Sequence, residues 1–459
     1  MPARNFWSQL TAVCLSFGLL AAAPAQSEQL SPAQLRAAAV VALDQGRPEL
    51  ALALSEALLK RDAADVMALQ MKARATRDLG QFDSARAAAR RAWSLSKTEG
   101  QKFDSARVMA QALASNKQHT RAQLWLRRAV QNAPDARTRQ LAVRDFTYVR
   151  ARNPLKLSFD FSVSPETNIN DGSIRDETQV FDYFTQDYVV AQLQGPAQAL
   201  SGTRAALALE LRYTLSEDVN HRSDFVLRGG LQRYQLSDSA KRAAPTVSGS
   251  DFAYDNLDIG LQTRWKQGAS GELRLGVLAG AAQYGGHAYS QRLRLDGGYS
   301  RALSAQDGLN LSAGAEATRG PRAPHSNLLR VGAEVTRHTN AGGAVIGNTS
   351  LVRSQSDHEP ADYAEAQLGI EARPTWDLFG ATASYGLSLR WRNYDSYVRF
   401  SPNGRKDREA SAYVTLRFSK VDYMGFTPTV TLSASRNESS VGLFDVDSRG
   451  VALSFETAF

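Results

Sequence analysis

The sequence has little of what disulfide-bonded, metal-binding or helical membrane proteins require. Its 459 residues include one cysteine, Cys14, which lies in an apolar N-terminal stretch. The chain after that stretch therefore offers no disulfide and no thiolate metal site. Beyond the first 25 residues no apolar run is long enough for a transmembrane helix. That lack does not exclude a membrane β-barrel, because barrel strands place lipid-facing residues only at every second position.

Catalytic and cofactor motifs are missing as well. The six histidines are scattered, and no two have the helical spacing of a metal-ligand pair. There is no G-x-S-x-G segment and no glycine-rich phosphate loop after a strand. The segment 357–359 joins a histidine to two acids, but its position between strand-like segments favours a solvated loop. We therefore expect no enzyme activity, no catalytic residue, no cofactor and no metal. A barrel enzyme with a site at its rim is the alternative.

The first 25 residues have the pattern of a secretory signal peptide. Arg4 supplies the basic head, residues 10–22 form the apolar core, and residues 23–25 offer a small-x-small cleavage site. A lipobox at Cys14 is the alternative, but Val13 stands where that motif needs a small residue. The pattern predicts export and removal of residues 1–25.

Charge is divided unevenly along the chain. Residues 28–153 contain 22 Lys and Arg against 12 Asp and Glu, whereas residues 154–459 contain 31 against 34. A basic domain is typical of nucleic-acid binding, but export behind a signal peptide argues against that partner. A periplasmic domain that faces acidic cargo or the phosphates of the inner leaflet fits the basic charge better. We expect no nucleic-acid partner.

The basic segment 28–153 predicts a helical repeat, because it is rich in Ala, Leu, Arg and Gln. Small or apolar residues recur at fixed offsets after three turn positions. Gly46 is followed by Ala51 and Leu58, Gly80 by Ala85 and Ala92, and Lys117 by Ala122 and Ala129. The spacings of 34 and 37 residues resemble the tetratricopeptide repeat, in which small residues let paired helices approach closely. An ordinary helical bundle is the alternative.

In such repeats the first helix of each pair lines a concave groove that binds a partner. Four polar residues on these helices are candidates for a cargo-binding groove: Arg74, Arg77, Arg107 and Gln111. A solvated surface position is the alternative for each of them.

From Pro154 onward the helical period gives way to strict alternation. Leu257, Ile259 and Leu261, for example, alternate with polar residues and glycine. Fourteen such segments are predicted: 155–163, 204–215, 222–236, 252–266, 270–284, 288–302, 307–319, 326–339, 343–355, 361–373, 378–394, 407–420, 425–437 and 448–459. Aromatic residues near their ends predict interfacial girdles: Trp265, Tyr299, Trp376, Phe379, Trp391, Tyr394, Tyr423 and Phe426.

The lengths of the connections support a membrane barrel. Connections after even-numbered strands are short, whereas those after odd-numbered strands include long ones, of which 164–203 is the longest. This asymmetry is typical of outer-membrane barrels. The sequence therefore predicts an α and β protein of two domains. Tetratricopeptide-like repeats at 28–153 precede a 14-stranded antiparallel transmembrane β-barrel at 154–459.

Arginines recur on the polar side of these strands, where charges on the lipid side would cost about 2–4 kcal/mol each at mid-bilayer. The lumen candidates are Arg264, Arg292, Arg294, Arg390, Arg392 and Arg417. A basic lumen would select anions or polymers. Alternatively, the arginines pair with acids of neighbouring strands and brace the wall, which is the interpretation we favour.

The last strand ends on an aromatic residue. Phe459, Phe455 and Val451 lie on one side of an alternating segment, with Glu456 and Ala458 on the other. The segment resembles the final strand of bacterial outer-membrane barrels, whose terminal Phe is read by the barrel-assembly machinery. Phe459 is therefore the predicted assembly signal.

Three further segments carry a family resemblance. They are SPETNINDGS at 164–173, LRWRNYDSY at 389–397 and GFTPTVTLSASRNESS at 425–440. With the signal peptide and the helical repeats, they resemble the surface lipoprotein assembly modulator family. The resemblance implies a periplasmic repeat domain joined to a fourteen-strand outer-membrane barrel. It also implies transport of lipoproteins, and in some branches soluble proteins, across the outer membrane.

The Asn-Ile-Asn element, with Asn168 and Asn170, allows two interpretations. Asn, Asp171 and Gly172 favour turns, so the element is either a gate in the long connection or an extracellular loop pinned by the Asn side chains. For the whole protein we expect a translocation factor of the outer membrane, whose periplasmic repeats bind cargo. Its expected partners are the cargo, outer-membrane lipids and the barrel-assembly machinery. An exopolysaccharide export porin is the alternative, and conductance through the purified barrel would separate the two.

Overall fold

A computed structural model describes residues 30–421 and 423–457, with the backbone alone at Thr457. The predicted signal peptide, the single cysteine and the terminal Phe459 lie outside these residues. The described chain begins with helices and continues with strands.

In the described residues, seven helices precede the first strand. They are α1 Pro32–Asp44, α2 Pro48–Arg61, α3 Val66–Asp78, α4 Phe82–Leu95, α5 Glu99–Ser115, α6 His119–Gln131 and α7 Ala136–Arg152. Side-chain caps start several of them, with capping boxes at Ser31, Thr98 and Asp135. None of the described helices has the length and apolarity of a membrane-spanning helix.

The repeat predicted from the turn positions is confirmed. Gly46, Gly80 and Lys117 end the first helix of three successive pairs, and their φ angles of 67°, 75° and 56° are left-handed. The residues at the two offsets after each of them are buried without exception: Ala51, Leu58, Ala85, Ala92, Ala122 and Ala129. Lys117 adopts a conformation that favours glycine, so this turn is strained relative to the other two.

The chain forms two compact units, which meet in sequence between Leu95 and Ser96. The first unit contains α1 to α4, with a core that includes Leu58 and Met71. The second contains α5 to α7 together with the strands, and its helices bury Leu113, Leu126 and Phe146. The assignment of residues 28–153 to one domain stays a prediction.

Among the described residues, fourteen strands form the barrel wall of the second unit, and a two-residue strand, Asp377–Leu378, pairs with the strand that follows it. The fourteen strands of the wall are β1 Leu155–Glu166, β2 Gly202–Glu217, β3 His221–Leu236, β4 Tyr254–Gln267, β5 Gly271–Tyr284, β6 His287–Ala302, β7 Asp307–Arg319, β8 Ser326–His338, β9 Ala344–Ser356, β10 Tyr363–Arg373, β11 Ala381–Tyr394, β12 Arg405–Arg417, β13 Phe426–Ser439 and β14 Val446–Thr457. Each pairs antiparallel with its neighbours in sequence, and β14 returns to β1. The predicted 14-stranded barrel is confirmed, with boundaries shifted by a few residues.

The two faces of the wall differ as the alternation predicted. On β4, Leu257, Ile259 and Leu261 are 51%, 48% and 51% exposed, as lipid-facing side chains of a barrel are. On the other face, Arg292 of β6 reaches Asp258 of β4 across the intervening β5. Side chains from strands that are not adjacent approach each other on the concave side of a curved sheet. The polar face therefore lines the lumen.

The connections define two ends of the barrel. Those after even-numbered strands form the turn end, and those after odd-numbered strands form the loop end. The turn at 418–425 is longer than the predicted 421–424, because Met424 and Gly425 adopt left-handed φ angles of 52° and 78° that shape a wider turn. Tyr394, expected in an interfacial girdle, is 3% exposed and stacks on Tyr397 among the loops instead.

The first long connection is not an irregular loop. A hairpin of Glu177–Asp182 and Asp187–Gln192 rises from it, followed by a short 3-10 turn at Gly195–Ala197. Phe181 packs edge-on against Tyr183 and Tyr188 within this hairpin, with centroids 4.9 and 5.2 Å away. The connection is therefore an ordered part of the loop end.

Candidate functional site

Asn168 fastens the start of the first long connection to the end of the chain. Its side-chain amide exchanges hydrogen bonds with Gly172, donating to the carbonyl at 2.9 Å and accepting from the amide at 3.1 Å. Its Nδ2 also donates to the carbonyl of Asp447 on β14 at 3.3 Å. Asn168 is buried, so these bonds are protected from water. The side chain thus links β1 to β14 at the loop end.

Asn170 closes the other side of the same connection. Its Nδ2 donates to the carbonyls of Pro196 and Gln198, both at 2.9 Å, and its Oδ1 accepts from the amide of Leu200 at 2.8 Å. A Cβ on Gly172 would overlap the carbonyl of Gln198, so only glycine fits there. The side chains of both asparagines therefore join backbone segments that are distant in sequence. A gating role for the element stays a prediction.

The connection is also tied to the two loops that flank β12 and β13. Arg175 pairs with Asp445 at 2.6 Å, and Ser173 donates to the carbonyl of Gly442 at 2.8 Å. The hairpin reaches the other loop, where the Tyr183 hydroxyl donates to the carbonyl of Val398 at 2.6 Å. These contacts gather loops from distant parts of the sequence over the strands next to β14.

Beneath these loops lies a polar cavity of about 270 Å³. Its lining combines Asp171 from the first connection with charged wall residues of β11 and β12: Arg390, Arg392, Arg405, Asp407 and Glu409. Arg405 pairs with Asp407 and stacks on the rings of Tyr394 and Phe444, 4.3 and 3.4 Å from their centroids. The cavity is a junction between the loops and the lumen wall.

Asp171 gives this junction a dependence on pH. Enclosure by the mouth of the barrel desolvates its carboxyl and raises its pKa above the ordinary 3.8, Glu166 and Glu409 raise it further, and Arg390 opposes them. Because the pKa of Asp171 is higher in the folded than in the unfolded protein, its protonated carboxyl stabilises the fold. This stabilisation is complete below pH 3.8 and is lost as the pH rises through the pKa of Asp171 in the folded protein.

We therefore expect hydrogen-exchange protection of residues 167–176, corrected for intrinsic rates, to fall when pH rises from about 4 to 7. Asp171→Asn should remove that fall, because the amide does not titrate. Asp176→Asn, in the same connection and exposed like Asp171 but outside the cavity lining, is the matched control and should behave as the parent protein. Equal pH dependence in the Asp171→Asn variant and the parent would contradict the assignment.

Acids pair with the arginines of the lumen wall. The pairs are Arg212 and Arg228 with Glu210, Arg222 and Arg264 with Asp224, Arg292 with Asp258, Arg294 with Glu316, Arg392 with Glu365, Arg390 with Glu409 and Arg417 with Glu456. All six predicted lumen arginines are among them. Neighbouring strands are thereby cross-linked on the inner face. Selection of anions by these arginines stays a prediction.

The structure places the groove candidates on two helices. Arg74 is half-buried on α3, and Arg77 pairs with the adjacent Asp78 at 2.6 Å. On α5, Arg107 pairs with Asp145 of α7 at 3.0 Å, so its positive charge is neutralised by an acid of the neighbouring helices. Gln111 is half-buried on α5. The two helices belong to different compact units, and cargo binding by these residues stays a prediction.

A contact between helices and barrel was not predicted. Nη1 of Arg127 on α6 donates to the carbonyl of Met424 at 2.8 Å, and its guanidinium lies over the rings of Phe146 and Phe426, 5.0 and 4.8 Å from their centroids. Gln131 accepts a hydrogen bond from the amide of Met424 at 2.8 Å. Helix α6 is thus fixed to the turn before β13, and Phe146 of α7 packs on the same guanidinium. Nothing local in the sequence signals a contact between residues almost 300 positions apart.

The acidic and histidine side chains of the described residues are spread over the structure. Across residues 30–421 and 423–457 no group of three His, Cys, Asp or Glu side chains is placed to hold a metal ion. The polar groups of the site instead hold loops, strands and helices together.

Solved structures resemble the two parts of the protein separately. The first TPR domain of human RPAP3 is 15% identical and covers 27% of this chain and 94% of its own, at a TM-score of 0.24. Acinetobacter baumannii OccAB3 is 5% identical and covers 65% and 98%, at 0.36. A bacterial polysaccharide outer membrane secretin is 6% identical and covers 65% and 98%, at 0.32. No curated protein matches the chain significantly.

The family assignment rests on the barrel sequence. Residues 156–459, which are more than half of the chain, match the model of the family described as surface lipoprotein assembly modifier. A closed barrel of fourteen strands with an apolar outer face is the architecture of outer-membrane proteins, whose short turns lie on the periplasmic side. The chain is an outer-membrane protein, and it belongs to the surface lipoprotein assembly modifier family.

Proposed function

We propose that this protein delivers particular lipoproteins or secreted proteins to the cell surface, with its helices receiving the cargo in the periplasm. The observation that carries the proposal is the contact of α6 with the turn before β13. That turn lies at the turn end of the barrel, which faces the periplasm in outer-membrane proteins. A chain bound by α5 to α7 would therefore be held beside the barrel.

The helices have the charge and shape for this task. Tetratricopeptide-like pairs present a concave surface to extended partners, and the basic excess of residues 28–153 favours acidic cargo. Arg74 is the best of the groove candidates, because it makes no ion pair in the part of the chain that the structure describes. Arg107 is less available, since Asp145 holds it.

The barrel acts without catalysis in this proposal. The paired arginines brace a wall that has to keep its shape while a polypeptide passes, and Phe459 directs insertion by the barrel-assembly machinery. Because ATP is absent from the periplasm, cargo folding or binding outside the cell supplies the driving force. Outer-membrane lipids are the remaining partner, through the exposed apolar face.

Deletion of residues 28–150 tests the role of the helices. Surface-exposed lipoproteins are measured by brief trypsin treatment of intact cells and mass spectrometry of the released peptides. We expect release of the cargo peptides to fall at least tenfold, while the truncated barrel remains heat-modifiable in gels and fractionates with the outer membrane. Unchanged release in the presence of an inserted barrel would refute the role of the helices.

A further inference from the structure

The boundary between β1 and β14, here called the seam, is the least paired boundary of the barrel. The paired positions are Ser162 with Ser454, Val163 with Leu453 and Glu166 with Gly450. On its other side β1 pairs with β2 continuously from Leu155 to Glu166. The described parts of β1 and β14 show no pairing between 159–161 and 455–457, although both segments are strands.

The loop end of the seam is firmly closed. The amide of Thr167 donates to the carbonyl of Arg449 at 2.9 Å, and the amide of Ile174 donates to the carbonyl of Asp445 at 2.9 Å. Asn168 adds its bond to Asp447. The Asn-Ile-Asn element therefore latches the extracellular end of the seam. At the periplasmic end the described strand segments lack backbone pairing, and Phe159 packs on Phe426 across β14. This unpaired stretch is here called the open end of the seam.

Like charges help to keep the periplasmic end open. The register of the paired positions, continued downward, would set Asp160 beside Glu456, and both carboxylates lie on the inner face. Like charges directly opposite each other destabilise a pair of strands. Arg417 lies 3.7 Å from Glu456 but on the far side of β13, so it does not bridge the seam.

An open strand edge at membrane depth requires a partner. Unpaired backbone N–H and C=O groups in hydrocarbon cost several kcal/mol each, so an added strand that satisfies them binds strongly. The side chains of this edge define what fits. Phe159, Phe161 and Phe455 are exposed outward, whereas Asp160 and Glu456 face inward. A complementary strand alternates apolar residues with lysine or arginine.

The helices end beside this edge. Asn153 and Pro154 alone separate α7 from β1, and the ring of Phe159 on β1 lies 5.2 Å from that of Phe426. Arg127 of α6 covers the same Phe426 ring. A polypeptide held by the helices is therefore delivered to the open end of the seam.

From these observations we infer that the periplasmic half of the seam is a binding site for a β-strand of the exported polypeptide, one with apolar and basic residues in alternation. The inference rests on the proposed function for the identity of the strand. The latch at Asn168 keeps the extracellular half closed while the strand adds to the edge.

A synthetic peptide tests the site directly on the purified full chain in detergent. The probe is a ten-residue peptide of alternating valine and lysine, and its control alternates valine and glutamate. We expect the lysine peptide to slow amide exchange of residues 159–161 and 455–457 at least tenfold and to leave β7 and β8 unchanged. No slowing, or equal slowing by both peptides, would overturn the inference.

Cysteine pairs separate the seam from a general effect on the barrel. Both double variants carry Cys14→Ser. Phe161→Cys with Phe455→Cys, which the continued register sets opposite each other, locks the unpaired stretch of the seam, whereas Phe161→Cys with Leu207→Cys joins the same residue to β2. We expect oxidation of the first pair, but not of the second, to abolish peptide protection and to reduce lipoprotein display at least tenfold, with recovery on reduction.

The two levels of the proposal fail differently. If the oxidised seam variant keeps full display and peptide protection, the strand site is refuted while the delivery function stands. If cells that lack the entire chain display lipoproteins normally, the proposed function itself is refuted. Peptide binding would then show only that the strand edge of the seam binds peptides, without a role in lipoprotein delivery.

Discussion

Asp224→Ala should lower the free energy of unfolding of the barrel by about 3 kcal/mol, which is the scale for removing one partner of a buried ion pair. Asp224 is fully buried on the inner face of β3. Its carboxylate accepts from Arg222 at 2.9 Å and from Thr214 at 3.1 Å, and Arg264 lies 3.5 Å away. Removal of this carboxylate takes from Arg264 of β4 the acid it pairs with, and leaves Arg222 of β3 with the more distant Glu217, 3.6 Å away.

The measurement is reversible unfolding in detergent by guanidinium chloride, followed by tryptophan fluorescence. Asp255→Ala is the matched control, because Asp255 pairs with Arg233 on the outer face, where the pair is partly exposed. An exposed pair contributes about 0–1 kcal/mol. Asp224→Asn should fall between the two, since the amide keeps one acceptor but no charge. Equal losses for Asp224→Ala and Asp255→Ala would contradict a bracing role for the inner network.

The strands were predictable because their signal is local. Alternation such as that of Leu257, Ile259 and Leu261 is written into each strand separately, and the lengths of the turns fix their order around the barrel. The helical repeat was predictable for a similar reason. A left-handed turn at Gly46 and Gly80, followed by small residues at fixed offsets, is a local pattern. The same pattern is found at the third turn, where Lys117 stands in place of glycine.

The site was less predictable because it is built from distant segments. The side chains of Asn168 and Asn170 were recognised as turn-forming, but their bonds to Asp447 and to Leu200 depend on the closed barrel. The hairpin at 177–192 was missed, since its short strands lie inside a segment rich in turn residues. The open seam has no local signal at all, because its two edges lie at opposite ends of the barrel sequence.

Arg127→Ala should release the helices from the barrel and reduce lipoprotein display at least tenfold. The substitution removes a hydrogen bond to Met424 and two cation–π contacts, with Phe146 and Phe426. Their combined loss is about 2–4 kcal/mol. Held helices keep the cargo near the open end of the seam, so their release lowers its local concentration there. The barrel should remain as stable as in the parent protein, because Arg127 lies outside the wall.

Two measurements separate release from unfolding. Trypsin should cleave the purified variant after Arg152, at the end of α7, at least ten times faster than the parent protein, while the fragment 153–459 stays resistant. Arg128→Ala is the matched control, because Arg128 is the next residue of α6 and stacks instead on Trp125, 4.3 Å from its ring centroid. It should leave cleavage and display near their normal levels. If Arg127→Ala and Arg128→Ala behaved alike, delivery would not depend on the attachment of α6 to the barrel, and the helices would act as a freely tethered receptor.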